Sequence, residues 1–420
     1  MIDKNLFLYD LAVVAIFKDE GRYLKEWLDY HLLAGVEHFY LYNNNSSDDY
    51  AEVLAPYIEQ ELVTLTNLPG KTMQTFAYND AVEKYRFECR YMAFIDLDEF
   101  IFPKSNRAIV DIVDESLSKD KNATGLGINW QCFGSNGQKK ADYSRGVLER
   151  FTSRAPSNWD TNKHVKTIVN PRFVSWVCNP HYATYFEGKF NVNSSGGKVD
   201  FYSNVPVLFD KIVVNHYNIK SREEYTKRRI PKGWACPGKS PYGDKHFEFH
   251  DRNEVFDDGI LKYRAARAEN FSFESEEHRV NRVVNSLVQT LTQPLPADND
   301  RKFFVDKLET FLTCRAVAEK FQITIGDTPA EEMSLDLIYR RFINGRTKNY
   351  FELYQMIKAL PEILVRPFPI CKKIKDSMQN DILPEAFDWL NVGQLKYEIS
   401  TWMARSELFY MQKLLRLIKL

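Results

Sequence analysis

Asp96-Leu97-Asp98-Glu99-Phe100 closes the mostly apolar run 91–97 with a cluster of carboxylates. An apolar run ending in acids reads as a buried strand that delivers charge to one end of a sheet. In open α/β sheets, ligands bind beyond the carboxyl ends of the strands. Isolated charges cannot be buried there unpaired. A hard divalent cation shared with phosphate oxygens meets that need, because Mg²⁺ and Mn²⁺ favour one or two carboxylates plus substrate phosphate. The competing structural reading is a solvated strand end, with Asp98 capping the next turn. Residues 43–49 (Asn43-Asn44-Asn45-Ser46-Ser47-Asp48-Asp49) follow a second apolar run. They suit a nucleotide's base and ribose, or make an ordinary Asx-rich turn. His216, in Val214-Asn215-His216-Tyr217, supplies a further metal ligand as a neutral imidazole, or packs with its hydrogen bonds satisfied. His181, in Asn179-Pro180-His181-Tyr182, has the same two readings.

The elements that must position these groups alternate in type. Residues 11–17 (LAVVAIF) form a continuous apolar run, as in a strand buried on both faces. Leu24, Trp27, Leu28, His31 and Leu32 then recur at helical spacing, and Gly35 is a stop signal. Residues 36–42 predict a second strand, 51–59 a helix, 62–66 a third strand, 74–88 a helix and 91–97 a fourth strand. This alternation predicts right-handed βαβ units and a mostly parallel sheet with helices on both faces. Aromatic and β-branched runs at 125–133, 164–169, 172–177 and 213–217 predict further strands with long loops. From about residue 275 helical periodicity dominates, with a breaker stretch at 292–300.

The 420 residues carry 56 basic and 57 acidic side chains, a net charge of −1, which argues against a dedicated nucleic-acid binder. With 44% apolar residues the chain buries a sizeable core, and it lacks the composition of a disordered tail. Six cysteines without a CxxC pair argue against a thiolate zinc site and for reduced thiols. No signal peptide or membrane-spanning run is evident in the sequence, so the expectation is a cytoplasmic protein, peripheral at most on the inner face of the plasma membrane. Aromatic content is high at 14%.

The ordered combination Phe17-Lys18-Asp19-Glu20, Glu26-Trp27-Leu28-Asp29-Tyr30-His31, Gly35-Val36-Glu37-His38-Phe39-Tyr40 and Asn43-Asn44-Asn45-Ser46-Ser47-Asp48 resembles the start of family 92 glycosyltransferases and their family 2-like bacterial relatives. Asn79-Asp80-Ala81 followed by Asp96-Leu97-Asp98-Glu99 is similar to their metal-binding segment. Asn215-His216-Tyr217, Lys220-Ser221 and Glu223-Glu224-Tyr225 resemble their C-terminal block. The resemblance covers roughly residues 10–265 and implies a Rossmann-like GT-A fold. It implies a catalytic domain over 1–270, with a nucleotide-sugar half near 1–105 and an acceptor half near 106–270; the helical periodicity, which the resemblance does not cover, predicts a C-terminal helical domain over 275–420. It implies a UDP-sugar donor, UDP-galactose most often, and Mn²⁺ or Mg²⁺. Asp98 would hold the metal directly, Asp96 would lie near the ribose or a metal-bound water, and His216 would be a third ligand. Lys18, Asn43, Asp48, Asn79 and Asp96 would meet the donor, with Asn43 at the uracil. The missing anchor points to a bacterial-type enzyme.

An inverting transfer needs one general base beside the acceptor hydroxyl. Glu187, in Tyr185-Phe186-Glu187-Gly188, is the candidate, with Asp160 second. His181, Trp159, Tyr182 and Trp234 are acceptor-binding candidates, and Trp130 and Tyr185 join them as flat surfaces for a pyranose. Residues 228–245 read as a lid that closes on diphosphate through Lys232 or Lys239. The acceptor is expected to be a glycan or lipid-linked saccharide. Leu408, Met411, Leu415 and Ile418, flanked by Arg405, Lys413, Arg416 and Lys419, make a basic amphipathic helix suited to a membrane surface, or to packing on its own domain or on a second subunit in a homodimer. Two other classes compete. A sugar nucleotidyltransferase needs a Gly-rich basic loop where Lys18-Asp19-Glu20-Gly21 stands. A non-catalytic carbohydrate-binding protein leaves Asp96 and Asp98 unexplained.

Overall fold

The structure, a computed structural model, describes residues 3–185, 188–233, 242–269, 271–272, 274–292 and scattered residues from 310 to 329. Glu187, Trp234, Lys239 and the amphipathic segment 405–419 lie outside them. The chain divides into two units. One comprises Tyr9–Tyr185 and Lys189–Glu276; the other comprises Met1–Leu8, Phe186–Gly188 and Glu277–Leu420.

The first unit opens with β1 (Tyr9–Phe17), α1 (Gly21–Leu33), β2 (His38–Asn43), α2 (Tyr50–Glu59), β3 (Val63–Asn67), α3 (Gln74–Tyr85) and β4 (Cys89–Phe94). β1 pairs in parallel with β2 and β4, and β2 with β3. The central β1 and β4 are almost wholly buried, whereas β3 at the edge alternates Val-Thr-Leu-Thr and is only partly buried. β5 (Glu99–Pro103), α4 (Ile109–Leu117), β6 (Ala123–Cys132), α5 (Val147–Arg150), β7 (Ser153–Arg154) and β8 (Val165–Val169) follow. Then come β9 (Val174–Asn179), β10 (Tyr182–Tyr185), β11 (Phe190–Val192), β12 (Lys198–Val199) and β13 (Ile212–His216). The main sheet runs β12-β11-β6-β8-β4-β1-β2-β3, with β13 joining β5 to β6. β8 is inserted antiparallel between β4 and β6, so the sheet is mixed although mostly parallel.

Past β13, a helical run comprises α6 (Arg222–Glu224), a wide π turn (Tyr225–Arg229) and α7 (Ile230–Lys232). α8 (Asp244–His250), β14 (Val255–Phe256) and α9 (Gly259–Ala268) complete the unit. α1 fixes β5 by polar as well as apolar contacts. Trp27 Nε1 donates to the Glu99 carbonyl and the Tyr30 hydroxyl to the Ile101 carbonyl, both at 2.8 Å. His31 Nε2 accepts from the Ile101 amide at 3.3 Å. Burial pushes the His31 imidazole down to about 3, so it stays neutral and can accept.

In the second unit α10 (Glu276–Thr292) buries Val283 and Leu287, and Arg282 donates to the Phe7 carbonyl at 3.1 Å. Among the described residues, no helix is long and apolar enough to cross a membrane.

Candidate active site

β4 ends at Phe94 and β5 begins at Glu99, so the acidic cluster spans a tight turn rather than a strand tail. The Glu99 amide donates to the Asp96 carbonyl at 3.0 Å. The turn sits at the carboxyl end of β4, beside β13, where His216 pairs with Glu99 of β5 and Cys132 of β6. The Tyr217 amide donates to the Asp98 carbonyl at 2.8 Å and locks the turn to that strand.

The three carboxylates have separate partners. Asp98 is buried, with Oδ2 accepting from Arg229 Nη1 at 3.0 Å and Oδ1 facing His216 Nε2 at 3.7 Å. Burial alone would raise the Asp98 carboxyl; His216, Arg229 and Lys220 hold it well below the usual carboxylate range. Asp96 accepts from Gln74 Nε2 at 2.5 Å, from the Tyr78 hydroxyl at 3.4 Å and from Lys166 Nζ at 2.9 Å. Glu99 is wholly buried. Its Oε1 accepts from the Trp130 indole at 2.8 Å, and its Oε2 from the Asp96 amide at 2.8 Å. Burial raises the Glu99 carboxyl to about 7, against the pull of Lys166. Lys166 reaches Glu99 Oε2 at 3.2 Å. Burial alone would lower its ammonium, but Asp96 and Glu99 hold it above the usual lysine range.

Among the described residues no three metal-ligating groups converge. The set Asp96, Asp98 and His216 expected from the sequence is therefore not closed: Asp96 turns away to Gln74 and Lys166. Asp98 and His216 do face each other. Their separation is beyond a hydrogen bond, yet within the span of one ion with ligand bonds of roughly 2 Å. His216 Nδ1 is buried with no hydrogen-bond partner among the described residues. The pair fits a cation whose other ligands come from phosphate and water.

The remaining candidates are dispersed. Asn43 is buried, with Nδ2 donating to the Tyr50 hydroxyl at 3.0 Å and to Asn67 Oδ1 at 2.9 Å, and Oδ1 accepting from the Ser46 amide at 2.9 Å. Its amide is engaged within the turn. Asn79, also expected at the donor, staples α3 to β9 through the Val177 amide at 2.8 Å and carbonyl at 3.0 Å. Asp48 Oδ2 accepts from the Gly21 amide at 2.7 Å, while its buried Oδ1 has no hydrogen-bond partner among the described residues. Lys18 is half-buried at the end of β1. Asp160 is not in the cluster: its side chain is 82% exposed and pairs with Lys163 at 2.8 Å. Trp159 packs on Phe249 and His250 of α8. Tyr185 is buried and donates to Asn191 Oδ1 at 2.5 Å, so it offers no sugar surface. His181 edges onto Trp130 at 5.0 Å, with Nδ1 beside the Val165 carbonyl at 2.9 Å. Burial takes it down to about 3. Tyr182 is half-buried against Tyr185 and Phe201. Lys232 pairs with Glu20 at 2.5 Å, which ties α7 to the loop after β1.

Lys166, Arg229 and the double contact of Glu99 were not anticipated. In the block Lys220-Ser221 and Glu223-Glu224-Tyr225, Glu224 is the centre of a buried ion-pair and hydrogen-bond cluster at the start of the helical run that carries Arg229. Glu224 accepts both guanidinium arms of Arg150 at 2.9 Å, the Tyr23 hydroxyl at 2.8 Å and the Ser221 hydroxyl at 2.5 Å. Both partners of the ion pair are buried. Glu224→Gln is expected to cost about 3 kcal/mol, because Arg150 is left buried without its counter-charge. Although burial opposes it, Arg150 and Ser221 lower the Glu224 carboxyl to about 2. A group with a depressed folded value stabilises above its unfolded value near 4.5 and loses that contribution as pH falls toward 2. Urea titrations at neutral and acid pH should show the variant's deficit shrinking in acid.

A sequence model described as glycosyltransferase family 92 matches residues 13–258. A family 92 protein of Ricinus communis is 26% identical over 223 residues, covering 52% of this chain and 37% of that relative. Galactan beta-1,4-galactosyltransferase GALS2 of Arabidopsis thaliana is 30% identical over 192 residues, covering 43% of this chain and 36% of that relative. The chain thus spans little more than a third of the length of these curated relatives. Both are plant proteins, which lends no support to a bacterial type. The crystal structure of S. aureus TarS 1-349 in complex with UDP-GlcNAc covers 89% of this chain and 92% of that one, at 9% identity and a TM-score of 0.32, too slight a likeness to bear on the site. With its family model spanning more than half of the 420 residues, the chain belongs to glycosyltransferase family 92.

Proposed function

We propose that this protein transfers a hexose, galactose foremost, from a UDP-sugar to a glycan or lipid-linked saccharide, with inversion and with Mn²⁺ or Mg²⁺ at Asp98 and His216. The observation that carries this reading is the buried Asp98–His216 pair at 3.7 Å, set at the carboxyl end of β4 with Arg229 on the other carboxylate oxygen. Family membership supports glycosyl transfer, and the GALS2 relative supports galactose. When bound, the cation neutralises charge that grows on the leaving diphosphate.

The chain's own residues do the rest. Asp98 stays ionised because cations surround it. Lys166 keeps Asp96 ionised where Gln74 and Tyr78 orient it. Arg229 and Lys220 add positive charge beside the diphosphate. Glu187 is proposed as the base, from its place in the sequence: it takes the proton of the acceptor hydroxyl as that oxygen bonds to the anomeric carbon and the nucleoside diphosphate departs.

The test is a donor screen with Mn²⁺, following nucleoside diphosphate release from several nucleotide sugars. Release from a UDP-hexose is the expected result. Release from none, with Asp98→Ala matching wild type, would remove the reading. Glu187→Gln should abolish transfer and keep UDP binding; full transfer would take Glu187 out of the mechanism.

A further inference from the structure

The loop between β12 and β13 carries an exposed apolar group that the proposed chemistry does not use. Phe201 is 51% exposed, Tyr202 39% and Val205 76%. Phe201 has φ 64, in the left-handed region where a bulky residue is an outlier. Such conformations persist only where the surroundings over-determine them, and they cluster at ligand-binding segments. The surroundings here are firm. The Tyr202 carbonyl accepts from the Val165 amide at 3.0 Å, and the Asn204 amide donates to the Lys163 carbonyl at 2.9 Å. Asn204 Nδ2 donates to the buried Asn129 Oδ1 at 2.8 Å. The rings are held in water by a pinned loop.

Tyr202 is also the outer end of a column of rings. His164 stacks on Tyr202 at 5.5 Å and 22°, and on Trp130 at 5.1 Å and 30°. Trp130 lies 4.3 Å from His216 and donates to Glu99. The column therefore runs from the Asp98–His216 pair to the surface. Trp130 and His164 inside it are partly buried, and the most exposed rings lie at the outer end. There Phe201 meets Tyr202 nearly edge-on at 5.0 Å, and Tyr182 meets Phe201 at 5.8 Å.

We propose that Phe201 and Tyr202 form a distal acceptor subsite for a neutral oligosaccharide whose reacting end reaches the Asp98–His216 pair, an inference that rests on the glycosyl-transfer reading. A pyranose presents an apolar C–H face, which a rigid aromatic ring covers at little entropic cost. Two rings, His164 and Trp130, stand between Tyr202 and His216, so in this proposal a single sugar at the reacting end does not reach the subsite, and a chain does. The loop segment 198–206 holds one lysine and one aspartate, a balance that suits a neutral glycan better than an anionic membrane.

The test is calorimetric binding of β-1,4-linked galactobiose and galactohexaose to the full chain, without nucleotide sugar. Wild type is expected to bind the hexaose about tenfold more tightly than the biose, as stacking on two rings implies. The double variant Phe201→Ala with Tyr202→Ala should bring that ratio close to one. Tyr202→Phe, which keeps the ring, should keep the ratio. Equal affinities in wild type, no binding of either sugar, or an undiminished ratio in the double variant overturns the subsite. Phosphatidylglycerol vesicles that bind wild type and not the double variant, with the sugar ratio unchanged, would assign the patch to a lipid surface and overturn it too. The two readings fail separately. A working donor screen with a flat ratio removes this subsite alone, and a failed donor screen with the ratio intact removes the transfer reaction alone.

Discussion

Asp98→Asn is expected to lower kcat/KM for sugar transfer by about 10²–10³, the usual loss when one preorganised electrostatic group is removed from a transition state. The substitution keeps the shape of the side chain and the hydrogen bond from Arg229. It removes the charge that His216, Arg229 and Lys220 surround. Only the carboxylate offers a hard anionic oxygen to a divalent cation. The loss should fall on kcat as well as KM, because the neutralisation matters most as the diphosphate departs. Initial rates at several Mn²⁺ concentrations check this, with circular dichroism confirming the fold. A variant within twofold of wild type would place the metal elsewhere.

The second large effect concerns stability. Lys166→Met is expected to cost about 3 kcal/mol, because it leaves the buried Glu99 and the partly exposed Asp96 with their shared cation gone. The cost depends on pH, with a definite sign. Glu99 already stands at about 7, above its ordinary 4.5, even with Lys166 beside it. A carboxyl raised in the folded state binds more protons folded than unfolded, so stability falls as pH rises through that window. Without Lys166 both carboxyls move up, and protonation relieves the strain in acid. Urea titrations should therefore show a larger deficit at roughly pH 8 than at roughly pH 5. An equal deficit at both would mean that Lys166 acts by packing alone.

The first hundred residues were legible because their signals are local. Continuous apolar runs placed β1 and β2 within two residues of their bounds, and one amphipathic stripe with Gly35 placed α1 within three. The acidic cluster stood out in the sequence, since carboxylates at the end of an apolar run need partners. It was not legible as a turn, because Phe100-Ile101-Phe102 reads as a continuation and nothing local says that β5 departs to pair with β13. Lys166 was missed for a related reason. In Val165-Lys166-Thr167-Ile168 a lysine looks like the wet side of an alternating strand. Insertion of β8 between β4 and β6 buries both of its faces. The available signal was charge: a buried lysine needs carboxylates, and Asp96 and Glu99 were two without a cation. Arg229 was missed because its partner Asp98 lies 131 residues away in sequence and meets it only through the fold. The structural bonds of Asn43 and Asn79 were not legible, because an amide that binds a ligand and one that staples backbone look the same in sequence.

The central claim is that Asp98 and His216 together hold a cation shared with the nucleotide. Electron paramagnetic resonance of Mn²⁺, titrated into the full chain with and without UDP, tests it most directly. Tighter Mn²⁺ binding when UDP is present, lost in His216→Ala, is the expected result. Mn²⁺ affinity that UDP leaves unchanged, and that survives in His216→Ala, would contradict the account.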